Sequence, residues 1–137
     1  MTLLPTIHRS ESAEEALCDD LIARIAGREG VVRLSQRRAS NVTLGLPDRR
    51  YRVHGTAFFW EVKTAAPASK LSAAQRDFLR AELSAGCLAG CGTLEDLADY
   101  VAMLVESRDA GRDIQYHWRH KHCADLVDCW TAKGMRP

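Results

Sequence analysis

Asp48, Glu61 and Lys63 are the residues of this chain whose types and spacing best suit chemistry. Glu61 and Lys63 stand two apart in a run of β-forming residues, so strand geometry sends both side chains to one face. Asp48 precedes a second such run and reaches the same face if the two runs pair as a hairpin. Two carboxylates at close range repel, and such pairs persist where a hard divalent cation takes oxygen ligands from both. With a lysine alongside, the set suits hydrolysis of a phosphodiester: the metal offsets the developing negative charge and acidifies a bound water, and the ammonium orients the nucleophile. Magnesium is the expected cation, with manganese as its substitute.

These side chains need a hairpin to position them. Residues 51–54 and 57–63 are β-rich, and Gly55-Thr56 between them suits a two-residue type II′ turn with glycine first. With that turn His54 faces Ala57, Arg50 faces Glu61, and Asp48 faces Lys63 with Glu61 on its diagonal. Tyr51, Val53, Phe58, Trp60 and Val62 then fall on the opposite, apolar face. A three-residue loop moves Asp48 to the wrong side, whereas a two-residue turn set one place earlier preserves the faces.

The hairpin sits among elements with their own punctuation. Ser12 opens an amphipathic helix carrying Leu17, Leu21, Ile22 and Ile25 and ending near Gly27. Residues 31–34 suit a short strand, 35–43 a polar loop, and Gly45-Leu46-Pro47 an extended approach to Asp48. Ser72-Ala-Ala-Gln75 is a capping box for a helix stopped by Gly86. Residues 87–91 suit a buried strand, and Thr93-x-x-Asp96 opens a helix with Leu94, Leu97, Val101 and Leu104. A turn over 109–113 and a last helix over 122–130 complete the reading.

Gly45-Leu-Pro-Asp48, Trp60-Glu-Val-Lys63 and Leu71-Ser-Ala-Ala-Gln75 together resemble the VRR-NUC (virus-type replication-repair nuclease) branch of the PD-(D/E)xK nucleases. The resemblance covers about residues 12–98 and leaves a C-terminal extension, 108–137, outside it. It implies an α/β fold of restriction-endonuclease-like core: a small mixed sheet flanked by helices, with an extra C-terminal helical segment. It implies that Asp48 and Glu61 ligate the metal, joined by the main-chain carbonyl of Val62, while Lys63 positions the attacking water. Gln75 supports the site from the next helix, and Glu14 is the family's helical glutamate; Glu15 competes for that role, since helical phase alone does not choose between them. Arg49 departs from the apolar residue usual after the Pro-Asp pair. The resemblance further implies a homodimeric endonuclease that leaves a 5′-phosphate on branched DNA such as four-way junctions, with a viral or mobile-element origin.

Composition bounds these readings. The 137 residues suit one domain with one core, and 46% apolar with 27% charged residues is the balance of a globular chain. No apolar run approaches a membrane span and the first residues lack a signal-peptide pattern, so an intracellular, cytoplasmic protein is expected. The net charge of +1 does not itself announce a polyanion partner, but six arginines crowd residues 33–52, of which Arg37, Arg38, Arg49 and Arg50 are candidates for gripping DNA phosphates. Five cysteines cannot all pair, and a reducing compartment keeps them as thiols. Two rivals stand beside the nuclease: a non-catalytic DNA-binding protein that keeps the fold, and an interaction protein held by zinc on ligands drawn from His117, His120, His122 and Cys123, with Cys87 and Cys91 completing the site.

Overall fold

The computed structural model describes residues 9–34 and 45–133. Four strands form one mixed sheet in the order β1 (Val31–Arg33), β2 (Arg49–Val53), β3 (Thr56–Val62) and β4 (Ala89–Gly92). The first three are antiparallel and β4 runs parallel to β3. A parallel neighbour requires a crossover, and helix α2 (Ala73–Ser84) supplies it. Helices α1 (Glu11–Ala26), α3 (Leu94–Glu106) and α4 (Arg112–Lys133) complete an α/β fold, with single 3-10 turns after α1 and after α3. No helix among the described residues is long and apolar enough to cross a membrane.

The hairpin turns one residue earlier than expected. Val53 pairs with Thr56, leaving His54 and Gly55 at the corner, both with positive φ (50° and 77°). Two positive φ values are the mark of a type I′ turn, whose twist matches that of the strands, and only the second position holds a glycine. The type II′ reading assumed that Gly55 must come first. The pairing Arg49↔Trp60, extended by one, sets Asp48 across from Glu61 rather than from Lys63. Because the slip involves both strands, each residue keeps its expected face.

One face of the sheet packs the core. Tyr51, Val53, Phe58, Trp60 and Val62 are buried there, with Ile22 and Cys18 of α1 and Tyr100 of α3. The Tyr100 ring sits 4.9 Å from Phe58 and edge-on, a geometry that adds to the gain from burial alone. On the other face α2 covers Phe59 and Glu61, with Phe78 meeting Phe59 edge-on at 5.7 Å. Helix α4 lies along β4 and shields that edge from pairing with another chain: the Cys91 thiol reaches Leu126 O at 3.6 Å, and the indole N–H of Trp130 donates to Asp96 at 3.2 Å.

Three elements differ from the sequence reading. Ser10, not Ser12, caps α1 by accepting from Ala13 N, and the helix buries Glu14, Cys18, Asp19 and Ile22. Leu17 and Ile25 are instead exposed, because the sheet selects a face containing polar residues that find buried partners. The strand expected over 87–91 begins at Ala89, since the α2 terminus runs through Cys87, whose N–H donates to Glu82 O. Helix α4 starts ten residues before the expected 122, its first half being polar enough to hide its period. The loop expected over 35–43 lies outside the described residues. Both capping boxes, Ser72 with Gln75 and Thr93 with Asp96, form as expected.

Candidate active site

Asp48 and Glu61 are joined through the ends of their strands. The Asp48 N–H donates to Glu61 Oε1 at 3.2 Å, and the Val62 N–H donates to Asp48 Oδ2 at 3.1 Å. Glu61 is 3% exposed. Burial, and then the charge of Asp48, push its carboxyl up to about 9. A neutralised carboxyl beside a carboxylate is the state expected of two acids that share a site without a cation.

Lys63 and Gln75 complete the arrangement. Lys63 Nζ lies 3.6 Å from Glu61 Oε2 and donates to Gln75 Oε1 at 3.0 Å and to Lys70 O at 2.8 Å. Gln75 Nε2 donates to Glu61 Oε2 at 3.0 Å, while its Oε1 also accepts the Ser72 N–H at 2.9 Å. Gln75 therefore closes the helix cap and holds the site at once. The two roles coexist because an amide has one oxygen and one nitrogen to offer.

Pro47 has a clear physical task in this register. Extending the ladder one step past Asp48↔Glu61 sets Pro47 opposite Val62, and proline has no N–H to donate to the Val62 carbonyl. Gly45 matters for a different reason: at φ 77° it lies against the backbone of Ala74, where any side chain would collide, so the approach to Asp48 runs tightly over the first turn of α2.

The donor set suits a hard cation in part from side chains. Two carboxylates and a main-chain carbonyl are oxygen donors, and magnesium commonly takes one or two carboxylates and fills its remaining positions with water. Among the described residues no group of three or more His, Cys, Asp or Glu side chains is placed to hold a metal. That bears on the zinc alternative too: Cys91 and Cys123 are buried, Cys87 is exposed, and His120 bonds Leu83 O at 2.8 Å, so these residues do not gather.

The remaining candidates divide. Glu14 is buried away from the pair: its Oε2 accepts from Leu94 N at 2.7 Å and from Arg9 Nη1 at 2.9 Å, stabilising the N-terminus of α3. Glu15 is the glutamate that feels Asp48; burial, and then the Asp48 charge, raise its pKa. Arg49 is buried, not exposed to phosphates. Its guanidinium meets Asp19 at 2.8 and 3.1 Å, Glu15 at 3.2 Å and the Asp48 carbonyl at 3.0 Å. It occupies the apolar face as a charge because Asp19, itself bonded by Tyr51 at 2.8 Å, neutralises it. Arg50 is exposed on the site's face, and Arg37 and Arg38 lie outside the described residues.

Asp19 and Lys133 went unread in the sequence. Lys133 ends α4 and donates to Ala66 O at 3.2 Å, fastening the loop that follows Lys63. Burial, and then the charge of Lys63, lower its pKa. No sequence signal links it to the site across so many residues, whereas Asp19 was detectable as a carboxylate four residues after Glu15 on the same helix face.

Comparison with protein-family models, with curated proteins and with solved structures found no match.

Proposed function

We propose that the chain is a metal-dependent endodeoxyribonuclease of PD-(D/E)xK type, cutting DNA phosphodiester bonds with Asp48, Glu61 and Lys63. The observation that carries this reading is the pairing of Asp48 with a buried Glu61 whose outer oxygen meets both Lys63 and Gln75. A solvated salt-bridged sheet face is the ordinary alternative, but such pairs are exposed and contribute little. Here Glu61 and Lys63 are withdrawn from water with Asp48 half-buried beside them, where Pro47 leaves the Val62 carbonyl without a ladder donor.

Asp48, Glu61 and the Val62 carbonyl would hold magnesium or manganese. The bound cation would supply charge neutralisation at the phosphate and a more acidic water. Lys63 would orient the attacking water, since an ammonium fixed by the Lys70 carbonyl and Gln75 Oε1 keeps its third proton in a defined direction. Gln75 fixes the Glu61 carboxylate, as a metal ligand's hydrogen-bonded partner does. The product would carry a 5′-phosphate, and preference for branched DNA and a homodimer are extensions by resemblance.

The test is incubation with labelled four-way junction, flap, single-stranded and plain duplex DNA, in magnesium, in manganese and in EDTA. Cutting that needs the metal and favours branched substrates supports the reading. Binding without cutting on every substrate supports the non-catalytic alternative.

A further inference from the structure

A cleft of about 710 Å³ opens between the β2–β3 hairpin and α4, walled by Arg50, Phe59, Arg112 and Tyr116. It lies on the sheet face of the carboxylate pair. Arg50 pairs with Phe59, and this pair stands two residues beyond Asp48 and Glu61, about 7 Å along the strands. The nearest lining residues thus stand one strand repeat from the candidate site, whose own side chains do not line the cleft.

Its charges are unequal in availability. Arg119 reaches the same wall, but Ser107 Oγ at 3.1 Å, Thr56 Oγ1 at 3.1 Å and Leu104 O at 3.0 Å take its guanidinium, so it fixes α4 to the hairpin. The side chains of Arg50 and Arg112 are exposed, and neither has a hydrogen-bond or ion-pair partner among the described residues. Among the described residues Glu82 is the one carboxylate in the lining. Tyr116 is 43% exposed, yet its hydroxyl donates to Gly86 O at 3.0 Å, which holds the ring in place.

Unengaged guanidinium groups beside a fixed, exposed aromatic ring are the components with which proteins take single-stranded nucleic acid, phosphates on the charges and bases on the rings. The volume is that of a pocket for a ligand of nucleotide size. We infer that this cleft seats an unpaired stretch of a DNA strand, its phosphates on Arg50 and Arg112 and a base against Tyr116 and Phe59. Its role, holding the strand that leads to Asp48 and Glu61, rests on the nuclease reading. One side of its wall, with Arg112, Gln115, Tyr116 and Arg119, comes from α4, beyond the residues that carry the family resemblance.

The experiment is fluorescence anisotropy in EDTA, so that binding is read without cleavage. Its probes are a labelled oligothymidylate, an abasic oligomer of equal length and a blunt duplex, with thymidine monophosphate as competitor. The parent chain is expected to prefer the oligothymidylate over both other probes. Tyr116→Leu should weaken that binding at least about fivefold and abolish the preference over the abasic strand, while Tyr116→Phe retains it. Arg50→Gln and Arg112→Gln should each flatten the dependence of log affinity on log salt by about 0.7.

Unchanged binding in these variants, equal binding of the abasic strand, or equal sensitivity of blunt-duplex binding to the same changes would overturn the inference. Competition by the mononucleotide as effective as by the oligomer would instead make this a small-molecule pocket and overturn it too. All substituted arginines are exposed, so their variants should fold, and circular dichroism verifies this. Failure of the parent to cut DNA in magnesium would count against the nuclease reading alone, since these measurements contain no cleavage step.

Discussion

Glu61 Oε1 accepts the main-chain N–H of Asp48 at 3.2 Å, so the carboxylate of one strand fixes the backbone that carries the other. Asp48 Oδ2 accepts the Val62 N–H, and the Asp48 side chain also shares a hydrogen bond with the Glu61 carboxyl. The site is thus pre-set by its own strands before any ligand arrives. Pre-setting of this kind is what allows a charge to act in a transition state without reorganisation.

Gln75 separates capping from chemistry. Gln75→Glu keeps an oxygen for the Ser72 N–H but loses the donor to Glu61 Oε2 and adds a third acid. It should retain the helix by circular dichroism and lower cleavage by roughly 10–100-fold, the usual effect of removing a metal ligand's partner. Gln75→Ala should lower cleavage similarly and also cost about 1 kcal/mol of stability through the lost cap. Equal cleavage by Gln75→Glu and the parent would remove Gln75 from the site.

Arg49 and Asp19 should act as a unit in stability. Arg49→Leu leaves Asp19 buried without its main partner, and Asp19→Leu leaves the guanidinium likewise, so either should cost about 3–5 kcal/mol in urea unfolding. The double substitution by leucines should recover part of that loss, because neither member of the buried pair is left orphaned, while Tyr51 loses its acceptor and the half-buried Glu15 its cation. Additive losses would contradict this account of why a charged residue occupies an apolar position.

The Glu61 carboxyl makes stability fall as pH rises in metal-free protein. Its pKa is about 9 when folded, against an ordinary value of 4.5. Between those values the folded state holds a proton that the unfolded state has released, so the slope of stability against pH is negative. The contribution is present in full below about 4.5 and is lost as pH climbs through about 9. Melting temperatures in EDTA should therefore decline across this window, Glu61→Gln should flatten the decline, and magnesium should lessen it by favouring the ionised pair. A decline unaltered in Glu61→Gln would assign the effect to other groups.

The local signals were legible and the long-range ones were not. Alternation along residues 51–62 separated Trp60 from Glu61 correctly, and Ser72 with Gln75 marked the start of α2 to the residue. A glycine-first turn at Gly55-Thr56 is not what forms: His54 also adopts positive φ, which moves the turn by one residue and each pairing partner by two, so the faces are kept. Helical period placed Glu14 and Glu15 one residue apart, and only packing against Leu94 and Arg49 tells them apart. Arg49 looked like a surface charge since nothing in its neighbours along the chain reveals Asp19, thirty residues away. The α4 wall of the cleft, with Arg112 and Tyr116, needed the whole fold.

Cleavage of labelled DNA in magnesium by Asp48→Asn, compared with the parent at equal concentration, tests the central claim most directly. The substitution preserves side-chain size and an oxygen for Val62 N–H while removing the negative charge. A fall of at least about a hundredfold, with the melting temperature maintained, is predicted, since charge stabilisation at a developing phosphate charge is of that order. Cleavage at the parent's rate by a folded Asp48→Asn protein would contradict the account, because the proposed cation would then not depend on Asp48.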